Sequence, residues 1–430
     1  MGRTIKGAQQ KQMVGVTFHK EKIKSNNKTQ LLLLSDYCYY SYMSKSSLMI
    51  KVEPAILKYA RYYSGFEIVE VAKKTKIKAE SLTLFESEKS DISLSQLERL
   101  ANVYKMPLAY FFLQNIPKDV VLPKDFRIIY SVEDTKLSPV VLLAIRRARY
   151  VQSIIQELVQ EKIEYPFQRV STNDDVEVSA AKFRSLLDIG IDEQNKWQSG
   201  SVALRKWKEA VERLQIFVLQ QSLPKDDVSA FCLADQKPFV ITLNSSEHEN
   251  RRIFSLFHEI GHILLNHSGI CTPDDLSRNS YQYIQIEKFC NQFAASILVP
   301  KDAFLKDSHV QRIMKLPVDQ WQDDDIKAIC ARFRVSQEVI YRRFITTGTI
   351  SEQIYEKKRN ELIKGFEEFN KSKKKGEVRI PQYRKIISQN GYAYSSLVLE
   401  NLHSNRITMA DAAEFLNTNT KHVPAVEYHF

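Results

Sequence analysis

Two histidines four residues apart, His258 and His262, stand in the segment Asn250-Arg-Arg-Ile-Phe-Ser-Leu-Phe-His-Glu-Ile-Gly-His-Ile-Leu-Leu-Asn-His267, with Glu259 directly after the first. This is H-E-x-x-H spacing. On a helix, residues four apart share one face, so both imidazoles reach a single ion. Glu259, one residue on, projects beside that ion and not through it. A base belongs there, to take a proton from water activated at the metal. Composition alone would place such a pattern in a chain this size with odds of roughly one in a hundred, so its surroundings must carry the argument. The alternative is a pair of core histidines satisfied by their neighbours.

The elements around the motif fit a metal site. Ile253, Phe254, Phe257, Ile260, Leu264 and Leu265 form a broad apolar stripe, which puts the motif on a core helix. Residues 269–280 read as a loop, and Tyr281–Leu298 is helical again, with Ile284, Phe289, Phe293, Ala294 and Ile297 inward and Pro300 as its stop. A catalytic zinc wants three protein ligands and one open position. Glu287, a carboxylate on that otherwise apolar helix 25 residues after His262, is the best third ligand; it also reads as a surface glutamate beside Lys288. His267 competes for the role, but five residues past His262 it lies off the face and reads as a helix end. Cys290 reads as a small buried hydrophobe. Ahead of the motif, Ile216–Gln220, Val228–Leu233 and Phe239–Leu243 are short β-branched and aromatic runs, the last two closing a hairpin through residues 234–237. An edge strand of such a sheet, lying beside the metal, would pair with an extended peptide.

The rest of the chain is mostly helical in pattern. Pro54–Ser64, Glu67–Thr75, Ala79–Glu86, Ser95–Tyr104 and Pro107–Leu113 are five short helices, the second and third forming a helix-turn-helix. Lys73, Lys74, Lys76 and Lys78 cluster around its turn, where phosphates would lie, and Ser81 and Thr83 on the third helix have side chains suited to base edges. A solvated lysine run capping a bundle is the competing reading. Residues 114–125, with two prolines, read as a linker. Leu137–Glu161 is a long helix whose Arg146, Arg147 and Arg149 read as a solvated basic face, and Val176–Leu187 and Gly200–Leu214 follow, with Trp207 and Leu214 as core. Asp324–Phe344 is a helical pair, Glu352–Lys375 a charged helix, and Leu397–Leu402 and Thr408–Leu416 precede a polar tail.

Composition bounds the class. At 430 residues, with 43% hydrophobic and 10% aromatic content, the chain is globular and large enough for two or three domains. Five scattered cysteines without a C-x-x-C exclude a disulfide framework or cysteine zinc site and point to a reducing, cytoplasmic compartment. No apolar run is long enough to cross a membrane. The net charge of +11 is concentrated: residues 1–50 carry a net +6, which leaves +5 for the other 380. Those first residues read as a disordered arm, or as a non-native extension ahead of a natural start at Met43 or Met49.

The His258 segment, together with Ile286-Glu-Lys-Phe-Cys-Asn-Gln-Phe-Ala-Ala-Ser-Ile-Leu-Val-Pro300, resembles the ImmA/IrrE family of metallo-endopeptidases. Phe231–Asn244 and Ala331–Ser336 share the likeness. Residues 54–113 resemble an Xre/Cro-type helix-turn-helix, with Phe85 where a tryptophan is commoner, and the resemblance extends to Gly391–Leu416. It implies a gluzincin-like site with Zn²⁺ held by His258, His262 and Glu287, and Glu259 as the base. It also implies cytoplasmic action on a protein substrate, an Xre-type repressor, to relieve repression of mobile-element or stress genes. The expected protein is multidomain and mainly α. An extension (1–50) precedes an all-α helix-turn-helix domain (51–115) and a helical linker region (116–200). An α+β zincin-like peptidase domain with a small β-sheet (201–345) and a helical C-terminal region (346–430) follow. DNA contact through Lys76, Lys78, Ser81 and Thr83 is a further expectation. A DNA-binding regulator with a structural or vestigial metal site is the alternative.

Overall fold

The computed structural model describes residues 48–88, 90–116, 137–225, 227–267, 270–271, 281–372 and 380–430. The arm expected over 1–50 therefore lies outside the described residues except for its last three, as do most of the linker expected at 114–125 and the end of the lysine run at 371–375.

The chain is mainly helical with two small sheets. The first unit comprises β1 (Met49–Lys51), α1 (Pro54–Tyr63), α2 (Ile68–Thr75), α3 (Ala79–Ser87), β2 (Asp91–Ser93), α4 (Leu94–Tyr104) and a 3-10 turn at Leu108–Phe112. It has its own core, with Ile56, Leu57, Val71, Leu82, Leu97 and Phe111 at its centre. Local signals define its helices: Pro54 opens α1, and reciprocal capping boxes start α2 at Glu67–Glu70 and α4 at Ser93–Gln96. The all-α expectation for this unit is corrected. β1 and β2 pair antiparallel, Ile50 opposite Ile92, so Met49 and Ile50 belong to the fold. Three-residue strands are too short to show a period, which is why the pattern missed them.

The body then runs α5 (Pro139–Leu158), α6 (Val176–Leu187), α7 (Ile191–Asn195), α8 (Gly200–Arg213), β3 (Phe217–Gln221), β4 (Ala230–Leu233), β5 (Val240–Asn244), α9 (Glu249–Leu264), β6 (Ile270–Cys271) and α10 (Tyr281–Leu298). After these come α11 (Lys301–Leu305), α12 (Ser308–Ile313), α13 (Asp323–Phe333), α14 (Gln337–Thr346), α15 (Glu352–Ser372), α16 (Gln382–Asn390), α17 (Tyr392–His403), α18 (Met409–Phe415) and α19 (Val423–Tyr428). Two expectations change: the loop at 269–280 opens with β6, and the polar tail contains α19, whose Val423 and Val426 are fully buried. Among the described residues no helix is long and apolar enough to cross a membrane.

The four-stranded sheet has the order β3-β5-β4-β6, with β3 parallel to β5 and the other pairs antiparallel. Both faces are covered. Val218, Ala230, Cys232, Ile241 and Leu243 face α8 and α9, in a core that continues through α10 to α14. Phe217, Leu219, Phe231, Leu233 and Val240 face α5 and the C-terminal helices, through Tyr394 and Val398 among others. Burial on both faces explains why these strands read as continuous apolar runs without alternation.

The arginines of α5 are not a solvated face. Arg146 donates to Ser64 Oγ (3.1 Å), Tyr104 O (2.8 Å) and Lys105 O (2.9 Å), and so grips the end of α4 in the first unit. Arg147 donates to Asn390 Oδ1 (3.0 Å) and to Phe415 O, on the C-terminal helices. Arg149 pairs with Asp235 in the β4–β5 turn. Each head group reaches a carbonyl or carboxylate presented by a different part of the chain, which a helical wheel cannot reveal. At the far side, Gly391 takes a positive φ of 79° and leaves room for Glu212, whose carboxylate accepts from the α17 amides of Tyr392 (3.1 Å) and Ala393 (3.3 Å).

Candidate metal centre

The site is built on two helices. α9 begins at His248, whose Nδ1 accepts from Asn250 N at 3.3 Å, and its apolar side, Ile253, Leu256, Phe257 and Ile260, is fully buried. That side seats the helix on the sheet, and the 3.6-residue period turns His258 and His262 together toward α10. α9 stops at Leu265. Asn266 adopts the left-handed conformation (φ 55°), and His267 N donates to His262 O at 2.9 Å. His267 thus closes the helix; its ring centroid is 6.0 Å from that of His262.

α10 packs lengthwise on α9 and carries Glu287 to the histidines. The two Nε2 atoms are 3.1 Å apart, His258 Nε2 is 3.2 Å from one Glu287 oxygen, and His262 Nε2 is 3.3 Å from the other. All three side chains are at most 1% exposed. Among the described residues this is the group of histidine, cysteine and acidic side chains whose ligand atoms converge as a metal site requires. Cys290 is buried against Gly261 and stands outside it.

The arrangement fits a zinc ion. Donors at about 2.0–2.2 Å from a tetrahedral centre lie about 3.3 Å from one another, the spacing seen here. Two imidazole nitrogens and a carboxylate oxygen are a zinc donor set. Driving three lone-pair donors together out of water is unfavourable unless a cation stands among them. Burial alone would raise the Glu287 carboxyl; the facing imidazoles of His262 and His258 outweigh it and hold the group well below the usual carboxylate range. Glu259 is fully buried on α9 beside His258 and is not one of the converging donors.

The wall of the site toward the start of α9 is aromatic and cationic. The Phe254 ring lies 6.4 Å from that of His258, and the Arg342 guanidinium stands 5.6 Å over Phe254. Glu338 accepts from Arg342 (3.0 Å) and from the Tyr355 hydroxyl (3.2 Å). These residues, 80 or more positions from the motif, had no signal in the sequence. Gly261 was visible inside the motif as a glycine in mid-helix, a poor helix former there, but its neighbour on α10 was not.

The residues expected to touch DNA sit apart from this centre. Lys76 is the left-handed C-cap of α2 and Lys78 the N-cap of α3; both are exposed. Ser81 is half-buried, and the exposed Thr83 donates its hydroxyl to Ala79 O at 3.0 Å.

Residues 211–344 match the Peptidase M78 family model, described as the IrrE N-terminal-like domain. The matched segment runs from the end of α8 into α14 and so contains the four-stranded sheet, both site helices, the converging triad and Glu259. The match supports an ImmA/IrrE-type assignment for this segment and a metallopeptidase-type function. No curated protein and no solved structure matches the chain.

Proposed function

We propose that this protein is a zinc-dependent endopeptidase that cleaves a partner transcriptional repressor, itself of the Xre type, and so relieves repression. The observation that carries the reading is the convergence of His258, His262 and Glu287 at 3.1–3.3 Å, inside a segment that matches a peptidase family, with Glu259 next to the first histidine. His258, His262 and Glu287 hold the ion. When bound, zinc supplies a Lewis acid that acidifies water and polarises the scissile carbonyl. Glu259 accepts the proton of the attacking water and passes it to the leaving amine. The glutamate of α10 cancels part of the ionic charge, so the buried centre stays close to neutral. β6 is an edge strand of the sheet and follows His267 closely in the chain, so an extended substrate segment can add to the sheet there; the opposite edge, β3, packs against α16 and bonds it through Gln220 and Ser388.

A second reading is favoured by one feature, the exposed Lys73, Lys74, Lys76 and Lys78 at the α2–α3 turn. In it the first unit is a helix-turn-helix that binds DNA and the metal site is structural. Co-expression with the Xre-type repressor separates the two. Glu259→Gln is expected to retain stoichiometric zinc and lose cleavage by at least about a hundredfold, and His262→Ala to lose both. A Glu259→Gln protein that cleaves at the wild-type rate would sink the peptidase mechanism; DNA binding with a steep salt dependence and no cleavage by the wild type would favour the second reading.

A further inference from the structure

We infer that Gly261 is a positioning residue: it sets the separation of α9 and α10, and through Glu287 it sets the affinity of the triad for its ion. The inference rests on the metal-site reading above. A Cβ at position 261 would stand 3.0 Å from Cys290 Cα, 3.0 Å from its Sγ and 3.2 Å from its Cβ. Carbon atoms in ordinary contact sit about 3.5–4.0 Å apart. The obstacle includes the backbone of a helix, which cannot swing aside as the tip of a long side chain would. Cys290 is fully buried, and Phe289, Phe293 and Ala294 lock the same helix into the core, so α10 can yield only as a body.

The position of the contact makes it matter for the ion. Gly261 lies between His258 and His262 on α9, and Cys290 lies one turn after Glu287 on α10. Any retreat of α10 at Cys290 carries the Glu287 carboxylate away from both imidazoles, which it now approaches to 3.2 and 3.3 Å. The four site side chains would all remain, but the triad would be too wide. A binding constellation must be held to within about 0.5 Å of its productive geometry, so a shift of a few tenths of an ångström is felt.

The test measures zinc affinity of the full chain by competition with a chromophoric chelator, with the thermal midpoint of the metal-free protein recorded alongside. Gly261→Ala is expected to weaken zinc binding roughly 10- to 100-fold, as removal of a supporting residue does. Cys290→Val thickens the opposite wall and is expected to act in the same direction. Gly261→Ala combined with Cys290→Gly moves the small residue across the interface and should recover most of the loss. Wild-type zinc affinity in Gly261→Ala, or a lowered thermal midpoint with unchanged affinity, overturns the inference. Should Gly261→Ala fail to fold, Cys290→Val decides: wild-type affinity there overturns it as well. A wild-type chain that binds zinc no better than His262→Ala overturns the metal site itself, and this inference with it.

Discussion

At the scale of single residues, the site depends on charges that burial would forbid if they stood alone. Glu338 is an example outside the triad. Burial works against its ionisation, but Arg342, and then Arg251 and Arg359, prevail and hold its carboxyl below the ordinary range. A depressed carboxyl contributes stability above its unfolded value of about 4.3 and loses it as the pH falls through its folded value. Glu338→Gln is therefore expected to cost roughly 1–2 kcal/mol near neutral pH, with the deficit shrinking as the pH falls below about 4. Thermal melts from pH 7 to pH 3 check this; a deficit constant across that range would contradict it. The metal residues were easier to find than such supports. His258, Glu259 and His262 announce themselves by spacing, and Glu287 stands out as an acid on an apolar helix. Its place opposite the histidines depends on how two helices pack, and from the sequence only the family resemblance could choose it over a surface role. Arg342 and Glu338 come from a distant helix pair, and no local pattern links them to Phe254.

Whole elements were legible where a period of 3.6 residues ran between clear stops. Val176–Leu187 and Tyr281–Leu298 have the bounds their patterns predict. The hairpin of β4 and β5 forms as its apolar runs suggest, with Leu233 opposite Val240. β1, β2 and α19 were not legible, because each is too short, or carries too few inward residues, to establish a period. α5 was found as a helix and misread as a surface. Arg146 shows why: its partners Ser64, Tyr104 and Lys105 are far away in the chain, so their carbonyl and hydroxyl oxygens leave no mark near residue 146. Its guanidinium also stacks 4.9 Å over the Tyr63 ring. Arg146→Ala is expected to cost about 2 kcal/mol of docking between α5 and the first unit. Hydrogen exchange should then accelerate over residues 54–112 while α9 and α10 keep their protection. Unchanged exchange in the first unit would show that the clamp contributes nothing to its attachment.

For the whole molecule, the segment matching the family model does not contain its own core. Its sheet has an outer face, Phe217, Leu219, Phe231, Leu233 and Val240, that is covered only by α5 and the helices from α16 onward. A fragment of residues 211–344 would leave this face in water, and an exposed apolar sheet of that size aggregates. That fragment is expected to be insoluble and to bind no zinc, whereas residues 137–430 should be soluble and take up one equivalent. Sedimentation together with metal analysis checks both, and a monomeric, zinc-loaded 211–344 fragment would refute the argument.

The two-sided cover of the sheet also orders events in time. A chain leaving the ribosome exposes all three zinc donors once Glu287 has emerged, while α16 to α19 are still to be made. Until they arrive the outer wall of the sheet is bare, and the platform under α9 has only half its support. A nascent or prematurely terminated chain therefore carries every ligand without the rigid frame that brings them together. Hydrolytic competence is acquired with the last helices to be synthesised, a safeguard for a cell that must not release an unfinished protease.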